Sequence, residues 1–259
     1  MKLLHVKTSS IALMLILALC ISGCHNRRKV ETEHSAASEA PAPVLTPADF
    51  APGDEVPADA IVQCGADAFF RDDAISDATF ALMQGRSYKE GCPVTREDLR
   101  YLTVLHKDSL GRSLVGEMIV SKEISQDVLQ IMRGLYEASY PIEKMRLIDY
   151  YDADDHASML DNNTSAFNYR PRAHQSTISK HALGLAIDIN PLYNPYCLTT
   201  ESGALIIEPR ESAKYANRNF ESPYKIEKGD ACWTIFREHG FWWGGGWAGR
   251  TKDYQHFEK

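Results

Sequence analysis

The sequence contains no CxxC pair, no HExxH motif and no GxSxG motif, although it has six cysteines and nine histidines among 259 residues. Without paired cysteines, a structural zinc site built from thiolates is disfavoured. The absence of HExxH argues against a zinc-protease site built on a helix, and the absence of GxSxG argues against a serine nucleophile on a strand-to-helix turn. Basic residues are also few: 28 lysines and arginines face 35 acids, and the net charge is −7. An acidic chain argues against nucleic acid as a partner.

Long apolar runs are also missing. The longest, IALMLILAL near the N-terminus, is shorter than the roughly 20 residues that a membrane-spanning helix needs. It follows the basic segment MKLLHVK and precedes ISGC, which resembles a bacterial lipobox. Residues 1–23 are therefore predicted to be a lipoprotein signal peptide, with Cys24 as the lipidation site and the protein anchored in the bacterial cell envelope. An ordinary signal peptide with an incidental cysteine is the alternative.

Export would leave four free cysteines in the mature domain, once Cys20 is cleaved off and Cys24 is acylated: Cys64, Cys92, Cys197 and Cys232. An even number of cysteines in an oxidising compartment favours disulfides. Four cysteines allow three connectivities, and we favour the pairs nearest in sequence, Cys64–Cys92 and Cys197–Cys232.

The chain divides by composition into four parts. Residues 1–23 are the signal peptide, and residues 24–59, rich in Ala, Pro, Ser and Glu, are predicted to be a disordered tether. Residues 60–105 are predicted to form an accessory segment, and residues 106–259 a chemistry-bearing domain.

Helix and strand patterns alternate irregularly along the folded part. Apolar residues at Ile124, Val128, Ile131 and Leu135 predict a helix that ends before Pro141. A second helix is predicted over GDACWTIFREHGF, and a third is predicted to begin at Thr95. SLVGEMIVSK, MRLIDYY, HALGLAIDI, FWWGG and YQHFEK are predicted strands. The mixture predicts an α+β fold, with helices flanking a small, mostly antiparallel sheet.

The segment SKHALGLAIDIN places His181 just before a predicted strand and Asp188 within it. Strand alternation would put Asp188 on a face with Gly184 and Ala186, which leaves room for a cation to approach. A buried aspartate without a partner costs several kcal/mol, so a partner is expected. A capping histidine with a surface acid is the simpler interpretation, and this pair alone does not decide between the two.

The C-terminal segment DYQHFE favours the functional interpretation. It supplies a second histidine, His256, and an acid three residues earlier, Asp253. Two histidines and Asp188 would make a three-ligand zinc site with a fourth position for water, and Asp253 could accept a proton from that water. A serine mechanism is disfavoured, because the Ser-x-x-Lys pattern at 222–225 lacks the SDN and KTG motifs that accompany it.

These motifs resemble those of the VanY-type D-alanyl-D-alanine carboxypeptidases. SxHxxGxAxD at 179–188 is similar to the first histidine motif of that family, and DxxH followed by FE, after GFWWGGGW, is similar to its C-terminal motif. FNYR at 167–170 resembles the GYR element that precedes them. The resemblance implies the fold shared by D-Ala-D-Ala peptidases and hedgehog domains, a bound Zn²⁺, and peptidoglycan stem peptides as substrate.

The resemblance also implies a role for each matching residue. His181, Asp188 and His256 would be the zinc ligands, and Asp253 the general base. Arg170 would bind substrate and stabilise the developing oxyanion, a task that suits a fixed guanidinium. Two further residues complete the comparison: Ser179 would contact substrate, and Asn168 stands where the family commonly has glycine.

Two alternatives remain open at this point. The chain could cleave an L-Ala-D-Glu bond instead of D-Ala-D-Ala, or it could be a non-catalytic zinc-containing module that binds the cell wall. The sequence does not indicate an oligomeric state.

Overall fold

The computed structural model describes residues 44–170 and 178–259, and the structural statements that follow refer to these two ranges. They contain five α-helices, eleven β-strands and seven 3-10 helices. The α-helices are α1 (Ala58–Cys64), α2 (Asp77–Met83), α3 (Ser125–Glu137), α4 (Asp155–Leu160) and α5 (Ala231–Glu238). The strands are β1 (Arg71–Ala74), β2 (Leu99–Lys107), β3 (Ser113–Ser121), β4 (Lys144–Met145), β5 (Asn163–Thr164), β6 (Ala186–Asp188), β7 (Tyr196–Thr199), β8 (Leu205–Glu208), β9 (Trp242–Trp243), β10 (Thr251–Asp253) and β11 (His256–Glu258). The 3-10 helices are Pro47–Asp49, Ala66–Phe69, Arg96–Asp98, Ile148–Tyr151, Lys180–Leu183, Arg210–Tyr215 and Gly244–Gly246.

The described strands are divided among four small sheets. Three are antiparallel, with the orders β1-β2-β3, β10-β7-β8 and β6-β11-β9. The fourth pairs β4 with β5 in parallel. Helices with several small, mostly antiparallel sheets confirm the predicted α+β class.

The largest element is the hairpin of β2 and β3, and α3 packs against β2. The predicted helical stripe is confirmed on α3, because Val128, Ile131 and Leu135 are almost completely buried in the main hydrophobic core. Ile187 and Phe257, on β6 and β11, are buried in the same core. The core therefore fixes the two strands that carry two of the predicted site residues, Asp188 and His256.

Two predicted elements are wrong, and a third is only partly correct: the predicted strand HALGLAIDI begins in the 3-10 helix Lys180–Leu183, and only Ala186–Asp188 is strand. The pattern at Thr95 begins only the 3-10 helix Arg96–Asp98, and the chain then continues as β2. The Thr95 hydroxyl and amide both bond to Asp98, so the cap is present although no α-helix follows it. The β-like run MRLIDYY contributes only its first residue to β4, and Ile148–Tyr151 is a 3-10 helix. In both cases the tertiary contacts outweigh the local pattern.

The structure tests only part of the N-terminal predictions. The signal peptide, residues 1–23, and the lipidation site Cys24 lie outside the described residues. The predicted tether runs to residue 59, but its last part packs on β3: Gly53 N–H and Val56 N–H donate to carbonyls of that strand, and Val56 is buried. The predicted boundary between residues 105 and 106 falls within β2. None of the helices in the described ranges has the length and apolar character needed to cross a bilayer.

The four described cysteines are free thiols, so the predicted disulfides Cys64–Cys92 and Cys197–Cys232 are not formed. The members of each pair pack in different places. Cys64 packs on the main core and Cys92 on a second, smaller cluster. Cys232 is fully buried in the main core on α5, whereas Cys197 lies on β7. Nearness in sequence therefore does not bring these thiols together.

Candidate metal centre

His181 is held in the 3-10 helix Lys180–Leu183 by its own backbone and by a carbonyl. The Ser179 hydroxyl caps the turn by accepting the His181 N–H at 3.2 Å. The ring nitrogen Nδ1 donates to the Ala166 carbonyl oxygen at 2.6 Å. This bond commits Nδ1, so the other nitrogen, Nε2, presents a lone pair.

Gly184 ends this turn and cannot carry a side chain without strain. Its φ is +68°, and an added Cβ would lie 2.5 Å from the Ser121 amide nitrogen. Because the backbones of Gly184 and Ser121 lie so close together, the Ser121 N–H can donate to the Gly184 carbonyl at 2.8 Å. The glycine of the motif therefore docks the histidine turn on the end of β3.

Asp188 and His256 face each other across two strands. They are paired in the antiparallel register of β6 and β11. One carboxylate oxygen of Asp188 lies 3.0 Å from His256 Nδ1, and the other lies 3.2 Å from His181 Nε2. The register of one strand pair thus brings together residues 68 positions apart in the chain.

Glu258 fixes the ring of His256. Its Oε2 lies 3.3 Å from His256 Nε2 and accepts that N–H, so the position of Nδ1 next to Asp188 can hold either a proton or, when a metal ion replaces that proton, a coordinating lone pair. The prediction from sequence did not include Glu258 as a site residue. The sequence did contain a signal for Glu258. It lies two residues after His256 on a predicted strand, and residues two apart on a strand share a face.

The three side chains fit a metal ion. Their ligand atoms all lie within 4.8 Å of one another, and His181 Nε2 is 3.2 Å from His256 Nδ1. Two imidazole lone pairs and a carboxylate in contact need a cation between them. In a tetrahedral zinc site with bonds of about 2.0–2.1 Å, ligand atoms are about 3.3 Å apart. Both rings also have the outer hydrogen bond that is typical of metal-ligating histidines.

The electrostatics of this group favour a cation as well. Burial opposes the charge of Asp188, but His181 and His256 hold the pKa of its carboxyl far below its usual range. Burial likewise opposes protonation of His256, but hydrogen bonds to Asp188 and Glu258 raise its pKa to about 10. Buried carboxylates thus dominate the potential at the rings, and positive charge is stabilised there.

Asp253 lies beside this group at the end of β10, where it pairs with Tyr196 of β7. Burial raises the pKa of Asp253 to about 6. Its Oδ1 has no hydrogen-bond partner in the described part of the chain. A buried carboxyl with one unpartnered oxygen and a raised pKa is suited to exchanging a proton near neutral pH.

A cavity of about 460 Å³ joins these residues. Its lining includes the three candidate ligands, and Asp253 and Arg170 also face it. Ser179 belongs to the lining too, so a substrate contact is sterically open to this residue, although its hydroxyl caps the histidine turn. Arg170 forms an ion pair through Nε with Asp155, a residue that the prediction from sequence missed.

Comparison with known families is consistent with this geometry. Residues 173–259 match the family model described as D-alanyl-D-alanine carboxypeptidase. The resemblance to this peptidase family is confirmed for that region. No curated protein and no solved structure matches the chain.

The region matched to the D-alanyl-D-alanine carboxypeptidase family contains His181, Asp188, Asp253 and His256. Arg170 precedes the match by three residues, so its place in the site depends on the structure and on the FNYR resemblance. The matched region thus contains the candidate ligands and the buried acid, while the guanidinium lies in the preceding chain.

Proposed function

We propose that the protein is a zinc-dependent peptidoglycan peptidase, and that it removes the terminal D-Ala from stem peptides that end in D-Ala-D-Ala. The convergence of His181, Asp188 and His256 in one cavity with the buried Asp253 is the observation that carries this proposal. The peptidase family match over residues 173–259 supports the reaction class. The fold shared with hedgehog domains is part of the same proposal.

The ion would be held by His181 Nε2, His256 Nδ1 and Asp188. When bound, zinc supplies a Lewis acid and lowers the pKa of a coordinated water to about 7. The ligands cannot themselves accept the proton of that water, since both imidazole lone pairs and the Asp188 carboxylate are committed. This role is therefore left to a nearby carboxyl.

Asp253 is that carboxyl. It accepts a proton as water attacks the scissile carbonyl carbon and passes a proton to the leaving amine when the C–N bond breaks. Its burial raises the pKa to about 6, near the working pH that makes general acid–base catalysis efficient. A bound cation would lower this pKa, because positive charge favours the carboxylate.

Arg170 would bind the negative charge of the substrate. Its guanidinium remains charged and offers donors in a fixed plane, which suits a carboxylate or a developing oxyanion. It faces the same cavity as Asp253 and the candidate ligands. A peptide that spans the cavity would therefore meet the acid and the cation together.

Anchoring of the protein in the cell envelope through Cys24 is also a proposal. The lipobox-like ISGC and the tether composition support it. Cys24→Ala should move the protein from the membrane fraction to the soluble fraction, as measured by fractionation of cells that express each form. Equal membrane association of both forms would argue against the anchor.

The test of the function is digestion of purified muropeptides with the zinc-loaded protein, with and without a chelator, followed by mass spectrometry. We expect loss of one alanine from pentapeptide stems, and we expect the chelator to abolish it. Cleavage between the first two stem residues would identify an endopeptidase instead. The absence of any chelator-sensitive product would favour the wall-binding module.

A further inference from the structure

Arg170 is held on one edge by a side chain outside the family motifs. Its Nε forms an ion pair with Oδ2 of Asp155, at the first residue of α4. Both side chains are mostly buried, with 30% of Arg170 and 24% of Asp155 exposed. An ion pair shielded from water is stronger than an exposed one, because the local dielectric is lower.

Asp155 is itself held by Asn168. The amide Nδ2 of Asn168 donates to Asp155 Oδ1 at 2.8 Å, so the two carboxylate oxygens have different partners. Asn168 is almost completely buried, and its backbone N–H donates to the His181 carbonyl at 3.2 Å. A continuous set of bonds therefore runs from the backbone of a candidate metal ligand to the guanidinium.

Asp155 lies in the first turn of α4 but is not the residue that caps it. Asp154 is the N-cap of α4, and its Oδ1 accepts the backbone N–H groups of His156 and Ala157 at 2.9 and 3.2 Å. The neighbouring Asp155 carboxylate is thus available for Arg170. Two adjacent acids have separate tasks, one for the helix and one for the cavity.

We propose that Asp155 is a positioning residue for Arg170 and that Asn168 orients the Asp155 carboxylate. This inference rests on the proposed function, in which Arg170 contacts the substrate. Because the Asp155 carboxylate lies against the Nε edge of the guanidinium, it restricts the orientation of this group in the cavity, where a substrate carboxylate or oxyanion would meet it. The asparagine that replaces glycine at position 168 supplies the bond that a glycine cannot make.

The first test observes Arg170 directly and needs no substrate. In spectra of the ¹⁵N-labelled full chain, Arg170→Lys identifies the Nε–H signal of Arg170 by its loss. We expect Asp155→Asn to shift this signal, because it removes the negative charge next to Nε, and we expect Asp154→Ala to leave it in place. An unchanged Nε–H signal in Asp155→Asn would overturn the proposal.

The second test is a double-mutant cycle on muropeptide hydrolysis by the zinc-loaded chain. Asp155→Asn should lower kcat/KM about tenfold, since it removes a charged partner, and Asn168→Gly should lower it less. In an Arg170→Ala background, Asp155→Asn should change kcat/KM less than about twofold. An equal loss in both backgrounds would show that Asp155 acts without Arg170.

Asp154→Ala is the matched control, because it removes the adjacent acid and weakens the helix cap. It should lower the melting temperature and leave kcat/KM within about twofold. The two proposals fail in different experiments. If the parent protein gives no chelator-sensitive product, the proposed function is refuted. The Nε–H comparison still decides whether Asp155 positions Arg170.

Discussion

Each candidate histidine ligand uses one ring nitrogen for orientation and leaves the other for the ion. His181 donates Nδ1–H to a backbone carbonyl, which no side-chain substitution can remove, whereas His256 donates Nε2–H to the side chain of Glu258. The two rings thus present different nitrogens, Nε2 and Nδ1, to the same point. The orientation of His256 depends on a replaceable residue, so it is the more easily altered of the two.

Asp253→Asn should retain the metal and lose turnover. The amide keeps the size of the side chain but cannot accept the proton of the attacking water, so kcat should fall by about 10²–10⁴-fold. Zinc content by mass spectrometry and hydrolysis rates on muropeptides measure the two effects separately. Near-parental turnover with full zinc occupancy would remove Asp253 from its role as base.

At the scale of single elements, β11 serves the site and the core at once. Phe257 is completely buried and stacks on Phe236 of α5 with ring centroids 4.0 Å apart. The flanking His256 and Glu258 point to the opposite face, because side chains alternate along a strand. Burial of one aromatic ring therefore sets the direction of both polar residues. A shift of register by one residue would exchange the faces and destroy the site.

The turn Gly244–Gly246 offers a matched pair of substitutions. An added Cβ at Gly244 would lie 2.6 Å from the Asp253 carbonyl oxygen and 2.8 Å from Asp253 Cβ, whereas Gly246 has open space. Gly244→Ala must displace Asp253 or the turn, so we expect kcat/KM to fall about tenfold or more. Gly246→Ala should change it less than about twofold. Equal effects of the two substitutions on muropeptide hydrolysis would contradict this packing.

On β2, the buried His106 predicts a dependence of stability on pH. Its Nδ1 donates to the Ile142 carbonyl at 2.8 Å, and burial lowers its pKa to about 4. In the unfolded chain the pKa is about 6.5, so below that pH the unfolded state binds a proton that the folded state does not. Stability is therefore full above about pH 6.5 and is lost as the pH falls towards about 4.

Between pH 7.5 and pH 5 this residue should cost about 2 kcal/mol of unfolding free energy, as measured by urea titration at each pH. His106→Asn keeps an N–H donor for Ile142 but does not titrate in this range. Its baseline stability should be lower, but its loss on acidification should be smaller by about that amount. An identical loss in both proteins would show that His106 does not contribute.

The site was more predictable from sequence than the elements that hold it. His181, Asp188, Asp253 and His256 lie in two short motifs, and local geometry sets the spacing within each motif. The pairing of β6 with β11, which brings the two motifs together, is tertiary. By contrast, MRLIDYY has strand-like composition but forms a 3-10 helix, since burial of Ile148 and Asp149 there depends on distant packing. Asp155 was not predictable, because its carboxylate meets Arg170 only through the tertiary fold.

For the whole molecule, a bound ion would connect parts of the chain that are far apart in sequence. It would link the turn at Lys180–Leu183, which docks on β3, with β6 and β11, whose pairing covers three residues. Any ligand that binds the folded state alone stabilises it by mass action. The free energy of metal binding should therefore appear as thermal stability.

Zinc should raise the melting temperature of metal-free protein in scanning calorimetry. At a free zinc concentration about 100 times Kd the gain is about 2.7 kcal/mol, or roughly 5–10 °C for a folded unit of this size. His256→Ala removes a ligand and should abolish most of this shift. His239→Ala is the control, because His239 ends α5 and lies 3.5 Å from Asp127, outside the candidate ligand set. It should keep the full zinc shift, and a shift of equal size in His256→Ala would mean that zinc binds elsewhere.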